Sequence, residues 1–161
     1  MVHLRISIAN QTLTLLNDDG QLVRAYPVST AARGVGEQHG SYCTPRGKHR
    51  IRAKIGAGLP ENSVFVARRP TGEMFSDNLA ALYPKRDWIL TRILWLSGCE
   101  PGFNRLGDVD SMRRFIYIHG CPDSEPMGIP KSHGCIRMRN TDILGLFDLV
   151  PVFTFVEIFE D

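Results

Sequence analysis

Two identical tripeptides lie close together in this chain, His119-Gly120-Cys121 and His133-Gly134-Cys135, within the stretch YIHGCPDSEPMGIPKSHGCIRM. Two imidazoles and two thiols are the donor set of a tetrahedral structural zinc site. Common zinc knuckles, however, place Cys roughly two to four residues from Cys on a tight turn, whereas these are His-x-Cys pairs. The same groups can instead supply a nucleophile. A thiol reacts as its thiolate, and a neighbouring imidazolium lowers its pKa. Spacing alone leaves both chemistries open.

The nucleophile reading has a positional logic. His119 ends a run, RRFIYIHG, that reads as a strand, and Cys135 sits in a glycine-flanked turn. The connection CPDSEPMGIPKS holds three prolines and one glycine, so it is shaped and not a loose tether, and the two side chains can meet across it. Gly134 permits close backbone approach to a substrate and lets backbone N–H groups aim at an oxyanion. His133 suits either a hydrogen bond to the turn or tuning of the thiolate. Arg137 offers a planar fork for a substrate carboxylate, or a surface salt bridge. Tyr117 lies two residues before His119 and shares its strand face, where it lines a cleft or joins the core.

These residues need a scaffold, and the pattern around them is mostly β. HLRISIA alternates, QTLTLL follows, and Asn17-Asp18-Asp19-Gly20 is a turn signal before the returning strand QLVRAYPVST. Thr44-Pro45-Arg46-Gly47 turns into another alternating run, KHRIRAKI. Residues 56–85 carry Gly58, Pro60, Pro70, Gly72 and Pro84 around a short apolar run, SVFVA, with Ser76 as cap of a short helix through Tyr83. A long irregular segment in a compact domain reads as a binding lid. WILTRILWL is apolar on both faces and reads as a buried strand, and SGCEPGFNRLGD as loop. After Cys135, Asn140 or Thr141 can cap a helix whose apolar positions are Ile143, Leu144, Phe147 and Val150; Pro151 stops it, and VFTFVEIF closes the chain as a strand.

Composition bounds the rest. A chain of 161 residues fits a single domain over residues 1–161, with no repeat or linker. No run of 18 apolar residues spans a membrane. A net charge of +2 is too small to point to nucleic acid or an anionic membrane. The basic cluster Lys48, His49, Arg50, Arg52 and Lys54 is divided between two strand faces. Trp95, Cys43 and Cys99 read as packing residues, and His3, His39 and His49 show no chemical context. The N-terminal residues alternate and do not form a signal peptide. Of four cysteines, one acting as nucleophile leaves an odd remainder, which suits a reducing compartment. The expectation is therefore a cytoplasmic protein, or a periplasmic one if a leader has been removed.

The Ser132-His133-Gly134-Cys135-x-Arg137 motif, with Ile118-His119-Gly120 upstream, resembles the signature of the YkuD-type L,D-transpeptidase catalytic domain. QTLTLLNDDGQLVRAYPVSTAARG is similar to that domain's first hairpin and SYCTPRGKHRIRAKIG to its next. The resemblance covers nearly the whole chain and is weakest over residues 56–110. It implies a mostly β, sandwich- or barrel-like fold with a short helix after the cysteine turn. It implies a cysteine acyl-transfer enzyme without cofactor or metal, acting on murein tetrapeptides or muropeptides. It assigns Cys135 as nucleophile and His119 as acid/base, held as a thiolate–imidazolium pair before substrate arrives. Ser132, His133 and Gly134 form the turn, with the Gly134 and Cys135 N–H groups as oxyanion donors. Ser132, Tyr117 and Arg137 are the candidate substrate contacts, and a carbapenem is expected to acylate such a cysteine. Cys121 departs from the family, which often has a small hydroxyl residue there, and it keeps the zinc-stabilised binding domain as a distant alternative. Between the two reactions of an acyl-enzyme, absence of a wall-binding module favours an L,D-carboxypeptidase of murein recycling over an L,D-transpeptidase making cross-links. No nucleic-acid, membrane or obligate protein partner is expected.

Overall fold

The computed structural model describes all 161 residues. Its strands are β1 (His3–Ser7), β2 (Thr12–Leu16), β3 (Leu22–Ser29), β4 (Gly47–Ile55), β5 (Ser63–Val66), β6 (Arg69–Met74), β7 (Ile89–Gly98), β8 (Tyr117–Gly120), β9 (Ile136–Met138) and β10 (Phe155–Phe159). The helices are α1 (Asp77–Leu82) and α2 (Asn140–Leu149). The sheet runs β4-β10-β1-β2-β3-β9-β8-β7-β5-β6, and a further β4–β7 pairing closes its first eight strands into a ring. The β5–β6 hairpin hangs outside that ring from β7. No helix is long and apolar enough to cross a membrane.

Alternation explains the ring. Leu4 and Ile6 of β1, Leu13 and Leu15 of β2, and Val156 and Ile158 of β10 are buried in one core. The turn before β3 forms as its residues require: Asn17 Oδ1 accepts the N–H groups of Asp19 and Gln21, and Gly20 adopts φ +77°. β7 is apolar on both faces because both are covered. Leu94 and Leu96 join the ring's core, while Ile93 joins a second cluster with Phe65 and Tyr117 on the outer side. Ile118 and Ile136, paired across β8 and β9, face the inner core. Their neighbours Tyr117, His119 and Arg137 therefore face outward. That outer face of β8–β9 carries the site.

Residues 56–85 are more regular than their prolines and glycines suggest. They form β5, β6 and α1, with Ser76 capping α1 through a bond from the Leu79 N–H. Pro70 is tolerated because β6 is an edge strand. α2 differs from expectation at its start. Its N-cap is Arg139, with no side-chain cap bond, and Asn140 is the first helical residue with a buried side chain directed elsewhere. Leu146, and not Leu144, completes the buried stripe with Ile143 and Phe147.

Candidate active site

β8 and β9 run parallel, with Ile118 opposite Ile136 and His119 opposite Arg137. Extending the pairing by one residue sets Tyr117 beside Cys135, and the Tyr117 N–H donates to Cys135 Sγ at 3.4 Å. Cys135 and Arg137 thus share a face with Tyr117 and His119. The thiol itself donates to the Phe115 carbonyl at 3.3 Å. Phe115 holds φ +58°, which turns that carbonyl toward the cysteine.

His119 is 1% exposed. Its Nδ1 lies 2.6 Å from the Gly120 carbonyl. A carbonyl only accepts, so Nδ1 carries the proton and Nε2 keeps its lone pair. Nε2 is buried and has no hydrogen-bond partner. Burial lowers the His119 pKa, opposed by Asp87 and the Gly120 carbonyl. Burial also pushes the Cys135 thiol up to about 12, more than the Tyr117 N–H and the charges of Arg137 and Arg114 bring it down. Burial thus works against the thiolate and against the imidazolium alike, and so against the thiolate–imidazolium pair that the sequence suggested. Desolvation disfavours both charges together, which no linear motif reveals.

The turn is built by its own atoms. Ser132 is 2% exposed; its hydroxyl donates to the Cys135 carbonyl and accepts the Gly134 N–H at 3.2 Å. Ser132 is thus a turn brace and not a substrate contact. The Gly134 N–H is engaged there, while the Cys135 N–H makes no bond within the protein. Only Cys135 keeps an oxyanion donor free. Gly134 has φ +129°, and a Cβ on it would lie 3.2 Å from the Cys43 carbonyl. Its positive φ and its packing on the neighbouring loop both call for glycine. Thr44 Oγ1 ties that loop down by donating to the Gly134 carbonyl at 2.8 Å.

The other candidates divide. Tyr117 is 3% exposed and its hydroxyl accepts from Arg68 at 2.8 Å, so it is a core tyrosine and not a cleft wall. Arg137 reaches Asp87 at 3.2 Å and Glu125 at 3.4 Å, so its fork is occupied by protein carboxylates instead of standing open at the surface. His133 is exposed at the rim, with Nδ1 3.7 Å from Asp87. Cys121 is buried, its Sγ 3.4 Å from the Met138 carbonyl, with its thiol pushed up to about 12 by burial. His119, Cys121, His133 and Cys135 do not gather into a group that could hold a metal ion.

Several residues the motif did not reveal build the surroundings. Asp87 joins Arg137 and His133 from the loop before β7. Arg68, at the tip of the β5–β6 hairpin, stacks over the rings of Trp95 (4.8 Å) and Phe115 (4.6 Å). Asn140 donates to the Cys121 carbonyl (2.9 Å) and to Asn62 Oδ1 (3.0 Å), and accepts from Thr91 Oγ1 (2.7 Å). That network grips the end of β8 just past His119. Thr91 holds φ +75° at a bulge to do so, a strained state for a β-branched residue. An asparagine at the expected helix start looks like a cap, so the sequence signal for Asn140 pointed to the wrong partner.

The outward face holds a thiol, an imidazole whose Nε2 is unpartnered, and one unengaged backbone N–H. The probable L,D-transpeptidase YbiS of Escherichia coli is 44% identical over 48 residues, covering 30% of this chain and 16% of that protein. The probable L,D-transpeptidase ErfK/SrfK of Salmonella typhimurium is 49% identical over 47 residues, covering 29% and 15%. The chain thus spans a small part of either relative. L,D-transpeptidase 3 from Mycobacterium tuberculosis, solved with a faropenem-derived adduct, superposes with a TM-score of 0.59 at 19% identity, over 99% of this chain and 60% of that one. An L,D-transpeptidase solved in complex with imipenem gives 0.56 at 18% identity, over 98% and 58%. The family model for the L,D-transpeptidase catalytic domain, YkuD, matches residues 1–158, and the chain belongs to that family.

Proposed function

We propose that this protein is a cysteine acyl-transfer enzyme acting on peptidoglycan stem tetrapeptides, and that water is its main acceptor, making it an L,D-carboxypeptidase. The observation that carries the reading is the buried, unpartnered Nε2 of His119 on the same outward face as Cys135. As Sγ attacks the carbonyl of the third stem residue, its proton leaves Phe115 and passes to Nε2. Transfer coupled to attack avoids a buried ion pair at rest. The Cys135 N–H receives the oxyanion. The imidazolium then protonates the departing D-alanine amine, and a thioester remains on Cys135.

Water as acceptor is supported by the cavity of about 190 Å3 on one side of His133, lined by Pro84, Lys85, Arg86, Asp87, Trp88, Pro122, Glu125 and Arg137. Its two carboxylates are held by Arg137 and its Arg86 is paired with Glu73, which leaves Lys85 without a salt-bridge partner. Such a lining does not attract an acceptor ammonium. Cross-link formation is the second reading, favoured by the names of the relatives. Mass spectrometry of products from a disaccharide tetrapeptide decides. Tripeptide as main product is expected; a dimer joined through two third-position residues would make it a transpeptidase. Imipenem, found on a structural neighbour, is expected to add one drug mass to the Cys135 peptide. Labelling at Cys43 or Cys99 would refute the site. We further propose that the enzyme works in the cytoplasm, which fractionation of untagged protein tests.

A further inference from the structure

Two cavities flank His133, and they differ in charge. The first, described above, contains carboxylates. The second, of about 220 Å3, is lined by His39, Gly40, Tyr42, Arg113, Arg114, Phe115, Ile116 and His133, without a single carboxylate. Phe115, which lines it, accepts the Cys135 thiol at its carbonyl at 3.3 Å, so one residue connects the cavity to the nucleophile.

Neither of its arginines makes a salt bridge within 4.0 Å. Arg114 is half-buried, and its guanidinium donates to neutral oxygens only: the carbonyls of Gly36, Glu37 and Cys43 and the hydroxyl of Ser41. Arg113 is exposed, and its guanidinium makes neither a hydrogen bond nor a salt bridge within 4.0 Å. Asp110, whose carboxyl Arg113 helps hold low, gives its two oxygens to the N–H groups of Leu106 and Arg113. Arg33 adds a further cation, stacked over Tyr42 at 5.5 Å. The carboxylate clamp expected at Arg137 is closed by Asp87 and Glu125. Arg113 lines this cavity instead with a guanidinium free of any salt bridge, and Arg114 is a charge that acts on the Cys135 thiol.

We propose that this cavity is an anion subsite for the terminal carboxylate of the donor stem peptide, with Arg113 as clamp and Arg114 as the fixed charge behind it. The substrate part rests on the proposed function; the anion preference does not. The volume lies below the roughly 300–1,000 Å3 of a drug-sized site and fits one residue-sized terminus. Binding is by charge-assisted bonds, which a neutral amide terminus forfeits.

The test uses two probes on the intact chain. Alkylation of the Cys135 peptide by iodoacetate and by iodoacetamide is followed by mass spectrometry. The wild type is expected to favour the anionic reagent relative to a free thiol standard. Arg113→Gln is expected to lower that preference about fivefold, and Arg113→Lys to retain most of it. Tetrapeptide with a free C-terminus is expected to be processed in preference to its amide, a difference that Arg113→Gln removes through KM. If iodoacetate preference stands but neither peptide is processed, the proposed function fails and the anion site survives. If both peptides are processed equally and the two reagents show no difference, the subsite is refuted. An Arg113→Gln protein with wild-type ratios in both assays also refutes it.

Discussion

Arg137 stands directly across the parallel β8–β9 pair from His119, and its guanidinium is held by Asp87 and Glu125. The residue next to the base is therefore a brace. It fixes two acidic side chains arriving from different loops, one of which also faces His133.

Substitution of Arg137 by Lys should break that brace, since a point charge does not hold two carboxylates as a planar fork does. We expect a loss of about 1 kcal/mol in stability, modest because both acids are partly exposed. Activity should fall through displacement of Asp87. A double-mutant cycle with Asp87→Asn should be non-additive. Additive effects confined to KM would return Arg137 to the role of substrate clamp.

Cys135→Ser should lower D-alanine release by at least about a thousandfold without changing the melting temperature much, because an alcohol is a far poorer nucleophile than a thiol. Cys121→Ser should retain substantial activity, since that side chain is buried against the Met138 carbonyl behind the site. Equal loss in both variants would mean that Cys135 alone is the wrong assignment.

Gly120→Ala should be among the most damaging single-methyl changes. A Cβ there would lie 2.3 Å from Asn140 Oδ1 and 2.7 Å from the Leu90 carbonyl. We expect about 2–3 kcal/mol of destabilisation. Activity should fall further than stability, because the Gly120 carbonyl also holds His119 Nδ1. A soluble variant with unchanged melting and turnover would show that β8 shifts freely.

His49 should set the acid limit of the fold. It is fully buried, with Nε2 2.8 Å from Ser111 Oγ and Nδ1 3.0 Å from the Gly47 carbonyl, and burial takes its pKa from 6.5 to about 4. Between those values the unfolded chain binds a proton that the native one does not. Stability therefore rises with pH across that window and is lost as pH falls from 6.5 toward 4. The loss is on the order of 3 kcal/mol. Urea melts at pH 7 and pH 4.5 should differ accordingly, and His49→Gln should flatten the difference. An unchanged pH dependence in that variant would assign acid sensitivity elsewhere. His119, also buried neutral, should place the acid limb of kcat/KM below pH 6.5.

Much of this molecule was legible in its sequence because local pattern decided it. Period-two alternation marks the strands, Asn17 to Gly20 makes its turn from its own side chains, and the Ser132–Arg137 motif brings nucleophile and turn together within a few residues. What only the tertiary structure decided lies in groups brought together from far along the chain. Asp87 and Glu125 close on Arg137 from separate loops, Asn140 leaves its helix cap to grip the strand after His119, and Arg68 caps Tyr117 from the β5–β6 hairpin. The protonation states of Cys135 and His119 belong to the same class. They depend on how much water the surrounding elements exclude, and desolvation is a property of the packed volume, not of neighbouring residues in sequence.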